Sequence, residues 1–254
     1  MSVNGSPAGR VAVVTGGGSG IGAAVAEHLG AAGHRVAVLD VNGDAAESVA
    51  ERLRGDGVEA LAATVDVADR TSVDKAAGVV REKFGPIEIL VTSAGIEAQT
   101  PFTEIPAHEW DRLIAVNLTG TFNTTQSMIP DMLAGGWGRI VTISSSSAQS
   151  GAPERAHYVA SKGGVIALTK ALAFEYSPQG ITANTIPPSI IATPMAEAGV
   201  AAGHIPKLED LAMMTPVRRS GLPEDIAAAA TFLCSDHAGF ITGQVIGVNG
   251  GWYI

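Results

Sequence analysis

A run of four serines, residues 144–147, precedes a tyrosine and a lysine that are four positions apart. On a helix, Tyr158 and Lys162 would share one face. The ordinary pKa of tyrosine is about 10, so the phenol is a poor base at neutral pH, and a neighbouring ammonium would lower that pKa. Such a tyrosine could exchange a proton with an alcohol or ketone oxygen, while one serine hydroxyl holds that oxygen. The alternative is a chance Tyr–Lys pair on an exposed helix face. The spacing alone favours the chance pair, whereas the spacing joined to the serine run and to the glycine turn described next favours the chemistry.

A glycine-rich turn, TGGGSGIG at residues 15–22, joins the first apolar run of the chain to a helical pattern. Gly16, Gly20 and Gly22 have the spacing G-x-x-x-G-x-G. Glycines here allow a tight turn that can approach a pyrophosphate, which the free N–H groups of the helix N-terminus would bind. A turn without a ligand is the alternative, but the position between a strand and a helix favours nucleotide binding.

Asp40 ends the second apolar run, eighteen positions after Gly22. A carboxylate there would accept hydrogen bonds from both hydroxyls of an adenosine ribose and would repel a 2′-phosphate. No Arg or Lys lies between Asp40 and Arg52 to offset that repulsion. The sequence therefore predicts NAD as the cofactor rather than NADP.

The elements that must position these residues alternate along the chain. Apolar, strand-like runs span 10–15, 35–40, 60–67, 87–95, 138–144, 181–187 and 244–251, and segments with helical spacing span 21–32, 44–54, 71–84, 109–133, 156–177 and 223–235. This alternation predicts an α/β fold of the Rossmann type, a doubly wound parallel seven-stranded sheet with helices on both faces. We expect a single domain over residues 1–254, with an excursion at 187–222 that carries short helices and acts as a mobile lid.

The composition limits the classes of function. The 254 residues carry a net charge of −9, which disfavours nucleic acid and anionic membranes as partners. A single cysteine, Cys234, allows no intramolecular disulfide and no thiolate cluster, and no metal is expected. No apolar run reaches the length of a membrane-spanning helix, and residues 1–10 lack a hydrophobic signal core. We therefore expect a cytoplasmic protein.

Together these motifs resemble the short-chain dehydrogenase/reductase family over nearly the whole chain. Further matching stretches are DV at 66–67, AG at 94–95, VNL at 116–118, ISS at 143–145, YVASK at 158–162, TPM at 193–195 and TGQVIGVNGG at 242–251. The resemblance implies hydride transfer that interconverts a secondary alcohol and a ketone, with a small-molecule substrate. It also implies a homotetramer, assembled through the helices at 109–133 and 156–177.

By the same resemblance, the catalytic residues would be Asn117, Ser145, Tyr158 and Lys162. Tyr158 would be the acid/base, Lys162 its activator, and Asn117 would hold a water that links Lys162 to solvent. Ser145 lies thirteen residues before Tyr158 and is the second serine of ISS, so it would polarise the substrate oxygen. Ser146 is the alternative if the strand ends one residue later.

The resemblance further implies two ligand sites. The cofactor-binding residues would be Gly16, Ser19, Gly20, Ile21, Gly22, Asp40, Asp66, Val67, Ser93, Gly95, Tyr158, Lys162, Ile191 and Thr193. Within this set, Asp66 and the Val67 backbone would bind adenine, and Ile191 and Thr193 would anchor the nicotinamide carboxamide. The substrate would contact Ser145, Ser147, Gln149, His157 and Tyr158. For His157, a surface position at a helix start is the alternative.

Three positions depart from the family pattern. Ser93 replaces an Asn that steadies the turn near the adenosine, Ser189 replaces a Gly that follows a Pro, and Asn249 stands where Asp is frequent. Serine has fewer backbone conformations than glycine, so the loop beside the nicotinamide is expected to sit differently. The Tyr158–Lys162 pair is unaffected, so we expect the chemistry to persist.

Two other functions are compatible with these patterns. One is a 3-oxoacyl carrier-protein reductase, although Asp40 and the charge of −9 disfavour NADPH and an acidic carrier protein. The other is a non-catalytic NAD-sensing protein on the same fold. Simple binding would need no tyrosine acid/base, which favours the enzyme.

Overall fold

The structure, a computed structural model, describes residues 9–253. The opening residues 1–8, which carry most of the segment predicted to lack a signal core, and Ile254 lie outside the described residues. Both ends of the predicted single domain, 1–254, therefore fall beyond the described part.

A parallel sheet of six strands forms the centre of the fold, in the order β3-β2-β1-β4-β5-β6. The strands are β1 (Val11–Thr15), β2 (Arg35–Asp40), β3 (Ala60–Thr64), β4 (Ile89–Thr92), β5 (Gly138–Ile143) and β6 (Ile181–Ile186). Every residue of β1, β4, β5 and β6 is buried, as expected for strands covered on both faces. The strand order reverses between β1 and β4, and open sheets of this kind bind ligands at the carboxyl ends beside that reversal.

The predicted Rossmann-type fold is confirmed, but the seventh strand is not formed. Residues 244–251 form two isolated parallel bridges, one between Val245 and Thr185 of β6 and one between Val248 and Pro188, just after β6. At the start of this segment, the Gln244 N–H donates to the side-chain Oδ1 of Asn184 at 3.1 Å rather than to a strand carbonyl. Glycines at 247, 250 and 251 also offer no side chains to pack, which weakens a regular strand.

Ten α-helices surround the sheet in the described part of the chain. They are α1 (Gly20–Ala31), α2 (Gly43–Gly55), α3 (Arg70–Phe84), α4 (Ala107–Ile114), α5 (Gly120–Gly135), α6 (Ser147–Ser150), α7 (Ala156–Tyr176), α8 (Pro194–Ala201), α9 (Leu208–Met214) and α10 (Pro223–Leu233). One apolar core packs α1, α2 and α10 against the sheet, and a second packs α3, α5 and α7 against the other face. The prediction of helices on both faces is therefore confirmed.

The segment predicted as one helix, 109–133, is interrupted at its centre. Between α4 and α5, the five residues Ala115–Thr119 form a π-helical turn. Such wide turns occur frequently at functional sites, because they redirect one side chain without ending the helix. Here the turn carries Asn117, whose side chain is fully buried.

The predicted excursion at 187–222 contains the short helices α8 and α9. The side chain of Thr193 begins α8 by accepting a hydrogen bond from the Ala196 N–H at 3.2 Å. Of the helices described here, none is both long and apolar enough to cross a lipid bilayer.

Candidate active site

A cavity of about 820 Å³ opens at the carboxyl edge of the sheet. Its walls include residues from the glycine-rich turn, the ends of β2, β4 and β5, the start of α7 and the excursion. All of the predicted cofactor-binding residues line it except Gly22. The volume lies within the ordinary range for small-molecule and cofactor sites, about 300–1,000 Å³.

The turn between β1 and α1 requires glycine for packing as well as for access. Gly16 has a φ of +65°, and a Cβ there would lie 2.6 Å from the Cα of Ala94. A Cβ on Gly22 would lie 2.1 Å from the carbonyl oxygen of Gly16. Gly22 therefore shapes the turn without lining the cavity, and its predicted role in cofactor binding stays a prediction.

Asp40 faces this turn from the end of β2. Its Oδ2 accepts the N–H of Gly18 at 2.9 Å, and its Oδ1 accepts the N–H of Asn42 at 2.9 Å. Arg52, the next cation along the chain, forms an ion pair with Glu27 at 2.8 Å instead. The carboxylate thus stands in the cavity wall with backbone partners, an arrangement that fits ribose hydroxyls.

The loop after β3 is held against α5. Asn123 donates its side-chain N–H to the carbonyl of Val67 at 3.0 Å, and a Cβ on Gly120 would lie 2.6 Å from Cγ2 of Val67. Asp66 is exposed, and its carboxylate accepts the Ala68 N–H at 2.9 Å. Together with the glycine turn and Asp40, this loop forms a cradle whose residues fit a dinucleotide with adenine at the Asp66 end.

Asn117 ties the loop after β4 to α7. Its Oδ1 accepts the Ile96 N–H at 2.9 Å, and its Nδ2 donates to the Ile96 carbonyl at 2.9 Å and to Ser161 Oγ at 3.0 Å. Ser161 in turn donates to the main-chain oxygen of Tyr158 at 2.8 Å. Asn117 does not line the cavity, so the structure places it as a brace behind the reactive side chains.

Lys162 lies deep in the same cavity. Its ammonium donates to the carbonyl of Ile143 at 3.0 Å, and the side chain is only 5% exposed. Burial lowers the pKa of Lys162 to about 8. A Cβ on Gly95 would lie 3.2 Å from the Lys162 Nζ and 3.3 Å from Asn117 Oδ1, so these three residues are closely packed.

Tyr158 projects into the cavity from the first turn of α7, as the spacing with Lys162 predicts. The Lys162 Nζ lies 6.0 Å from the centroid of the tyrosine ring. Burial raises the pKa of Tyr158, and a hydrogen bond with Ser145 opposes that rise. Desolvation of the phenolate outweighs the other influences in the cofactor-free protein, and the ammonium donates to Ile143. The activation of Tyr158 by Lys162 stays a prediction.

The four serines have different surroundings. Ser144 accepts a hydrogen bond from Thr185 Oγ1 at 3.0 Å and belongs to the core. Ser145 is placed against Tyr158 and accepts the Ser147 N–H at 3.2 Å. Ser146 donates its backbone N–H to the Pro188 carbonyl at 2.9 Å. Because β5 ends at Ile143, earlier than predicted, the geometry favours Ser145 over Ser146 as the partner of the tyrosine.

Two of the predicted substrate contacts lie outside the cavity. His157 is fully buried, with its Nε2 2.9 Å from Oε1 of Glu109 on α4. The surface alternative is wrong for this residue, because α7 packs that side of its first turn against α4. The predicted substrate contact stays a prediction, and the cavity does not reach His157. Gln149 is exposed and also does not line the cavity, whereas Ser147 does.

Glu97, Arg155 and Trp252 are among the cavity residues that the sequence prediction did not name. Glu97 follows the AG motif by two positions, and Arg155 precedes Tyr158 by three. Their short distance in sequence from these motifs is the signal that could have identified both residues as part of the site. No local pattern brings Trp252, near the end of the chain, to this site.

Comparisons with known proteins cover nearly the whole chain. The family model described as enoyl-(acyl carrier protein) reductase matches residues 16–253. The chain is 41% identical to a D-threitol dehydrogenase of Mycolicibacterium smegmatis, over 97% of this chain and 94% of that protein. It is 37% identical to the 3-oxoacyl-(acyl-carrier-protein) reductase FabG of Aquifex aeolicus, over 96% and 98%. A protein of Beutenbergia cavernae assigned as an NAD(P)-dependent gluconate 5-dehydrogenase, with NADP bound at low occupancy, superposes with a TM-score of 0.90 at 36% identity, over 97% of this chain and 98% of that one.

Proposed function

Because the chain belongs to the short-chain dehydrogenase/reductase family and is an oxidoreductase of that family, we propose that it interconverts a secondary alcohol and a ketone with NAD(H). The observation that carries this proposal is the convergence of Ser145, Tyr158 and Lys162 on one cavity whose far end holds Asp40. Binding alone would not require a half-buried phenol and a buried ammonium in the same site, because both are costly to desolvate.

The proposed chemistry divides between the cofactor and the side chains. A nicotinamide cofactor, when bound, accepts or supplies the hydride. Ser145 holds the substrate oxygen, and Tyr158 takes the hydroxyl proton during oxidation or returns it during reduction. The hydrogen bond between Ser145 and the phenol favours the phenolate, so the serine also assists the proton transfer.

Lys162 and Asn117 have supporting roles in this proposal. With a pKa of about 8, Lys162 is mostly protonated at neutral pH and can bond the nicotinamide ribose. The amide of Asn117 is fully engaged with Ile96 and Ser161. We therefore assign Asn117 first as a positioning residue, with the proton relay to Lys162 as its further proposed role.

Asp40 supports NAD over NADP as the preferred cofactor. Its carboxylate accepts only backbone N–H groups, so its negative charge has no neighbouring cation to offset it. A 2′-phosphate at this position would meet uncompensated repulsion. NADP is the alternative cofactor, because the structural relative from Beutenbergia cavernae has NADP bound.

A 3-oxoacyl reductase is the second candidate, supported by the relative from Aquifex aeolicus. The D-threitol dehydrogenase, with the higher identity of 41%, supports an alcohol substrate.

The test is a panel of secondary alcohols and ketones, run with NAD and NADP in parallel, on the wild-type protein and on Tyr158→Phe. Loss of turnover in Tyr158→Phe with unchanged NAD binding supports the proposal, because the substitution removes only the hydroxyl. Turnover by Tyr158→Phe would overturn the mechanism. Exclusive turnover of 3-oxoacyl thioesters would favour the second candidate.

We also propose that the protein assembles as a homotetramer. The two helices expected at the interface each present a large aromatic side chain to solvent, since Phe174 on α7 is 91% exposed and Phe122 on α5 is 43% exposed. Light scattering of the wild-type protein measures the assembly state, and a monomer in solution would refute this proposal.

A further inference from the structure

We propose that Glu97 and Arg155 form a hydroxyl-recognition subsite, and that the substrate is a small uncharged polyol with a second hydroxyl next to the reacting carbon. This inference rests on the proposed function and names the substrate class of the same site.

The two side chains form a loose ion pair in the cavity wall. Arg155 NH1 lies 3.5 Å from Glu97 Oε2, and the side chains are 17% and 23% exposed, respectively. Charge-assisted hydrogen bonds of optimal strength are about 2.7–2.9 Å long. The longer separation leaves hydrogen-bonding capacity on both the carboxylate and the guanidinium, and both groups face the cavity.

The pair shares the cavity with the reactive tyrosine. The charge of Glu97 raises the pKa of Tyr158 and the charge of Arg155 lowers it. Glu97 follows Ile96, whose backbone N–H and carbonyl are both hydrogen-bonded to the side-chain amide of Asn117. Arg155 lies at the N-terminal end of α7, three residues before Tyr158. The same framework therefore positions the pair and the reactive tyrosine.

A hydroxyl group is the substituent that suits this pair. It can donate to the Glu97 carboxylate and accept from the Arg155 guanidinium at the same time. A carboxylate or phosphate would satisfy Arg155 but would be repelled by Glu97. An alkyl group would cover the ion pair without replacing its hydration, which is unfavourable for buried charges.

Apolar surface from the excursion borders the pair. It is supplied by Met195, Ile205, Leu208 and Leu211. Ile205 lies beside the Glu97 carboxylate, since a Cβ on Gly199 would meet the two side chains at 3.4 Å and 3.6 Å. A charged pair bordered by apolar side chains fits a short carbon chain that carries a hydroxyl beside the pair. The geometry thus favours a compact vicinal diol or longer polyol over an acyl thioester.

The test compares two alcohols with the same carbon skeleton, butane-2,3-diol and butan-2-ol, with 3-hydroxybutyrate as the anionic analogue. We expect kcat/KM for the diol to exceed that for butan-2-ol by about tenfold or more, as for one hydrogen-bonded hydroxyl at a charged site. Glu97→Gln should remove most of this preference, read as the ratio of the two kcat/KM values, so that any effect of the lost charge on Tyr158, which both alcohols share, cancels. Glu154→Gln is the matched control, since this neighbouring carboxylate is exposed, does not line the cavity and binds Gln99.

A binding measurement separates this inference from the proposed function. Calorimetry follows butane-2,3-diol binding to the protein saturated with NADH, where no oxidation of the alcohol can occur; NADPH replaces NADH if that is the cofactor bound. We expect Glu97→Gln to weaken diol binding by about tenfold and Glu154→Gln to leave it unchanged. Glu97-dependent binding without turnover of any alcohol would refute the proposed function and support the subsite. The subsite would be overturned if Glu97→Gln changed neither the binding nor the relative turnover of the diol. A higher kcat/KM for 3-hydroxybutyrate than for the diol would also overturn it.

Discussion

The hydroxyl of Ser189 donates a hydrogen bond of 2.9 Å to the main-chain oxygen of Asn249. These are two of the positions at which the chain departs from its family's pattern. Asn249 in turn donates from its side chain to the Tyr253 carbonyl at 2.7 Å, and its Oδ1 accepts the Gly251 N–H at 3.0 Å. The departures together hold the end of the described chain, including Trp252, against the cavity.

Ser189→Ala should loosen this segment. Loss of one hydrogen bond costs about 1 kcal/mol, so amide exchange in residues 249–253 should accelerate by about fivefold. Hydrogen–deuterium exchange of the C-terminal peptide measures the effect. Ser220→Ala is the control, because that hydroxyl bonds the Leu208 carbonyl and does not touch the C-terminal segment. Equal exchange rates in wild type and Ser189→Ala would show that other contacts hold this segment.

Lys162→Met should stabilise the protein at neutral pH while it abolishes activity. The folded pKa of about 8 lies below the ordinary 10.5, so keeping the buried lysine charged costs roughly 3 kcal/mol, against about 1 kcal/mol for its hydrogen bond to Ile143. Between these two pKa values the unfolded chain binds the proton more tightly, so wild-type stability from this group rises with pH.

Urea denaturation over a pH series measures this difference in the free energy of unfolding. The advantage of Lys162→Met, about 2 kcal/mol near pH 7, should shrink as the pH rises from about 8 towards 10.5. Lys170→Met on the exposed side of α7 should show no such dependence. A destabilised Lys162→Met at neutral pH would contradict the prediction.

Tyr158 should remain a neutral phenol in the cofactor-free protein up to alkaline pH, because burial raises its pKa above the ordinary 10. The ultraviolet phenolate absorbance of wild type minus that of Tyr158→Phe isolates this residue from Tyr176 and Tyr253. We expect no difference signal below about pH 10. A phenolate signal near neutral pH would show that Lys162 controls the ionisation after all.

Asp40→Asn should reduce the preference for NAD over NADP. The substitution removes the charge that repels a 2′-phosphate while it keeps the size of the side chain. The ratio of kcat/KM values for the two cofactors should fall by about tenfold, equivalent to about 1.4 kcal/mol. Asp44→Asn, an exposed residue in the first turn of α2, is the control. A wild-type protein that already prefers NADP would refute the role of Asp40.

Gly95→Ala should lower activity and leave the fold largely intact. The new methyl group would lie 3.2 Å from the Lys162 Nζ and 3.3 Å from Asn117 Oδ1, so both polar groups must move by a few tenths of an ångström. We expect kcat to fall by about tenfold or more, since small displacements of positioned groups are costly. Gly78→Ala in α3, which has open space around it, should keep full activity and add about 0.5–1 kcal/mol of stability. Full activity in Gly95→Ala would mean that the reaction does not depend on the exact position of the Lys162 ammonium.

Local patterns predicted the elements well because they depend on residues close together in the chain. The alternation of apolar runs and helical segments predicted β1 to β6 and most of the helices around them. It overextended β3, β4 and the segment 244–251, since apolar residues continue past the point where the chain leaves the sheet. A strand ends where its backbone separates from that of the neighbouring strand. This point depends on both strands, so the sequence of one apolar run does not reveal it.

The motifs determined, from sequence alone, which residues belong to the site: Tyr158 and Lys162 by helical spacing, the glycine turn by its place after β1, and Asp40 by its place after β2. Tertiary structure decided what surrounds them. It turned His157 towards Glu109, set Gly22 behind the turn, raised the pKa of Tyr158 by burial, and brought Glu97 and Arg155 together across 58 positions of the chain. Spacing constrains the direction of a side chain on its own element, whereas burial and charge pairing depend on elements that meet only when the chain is folded.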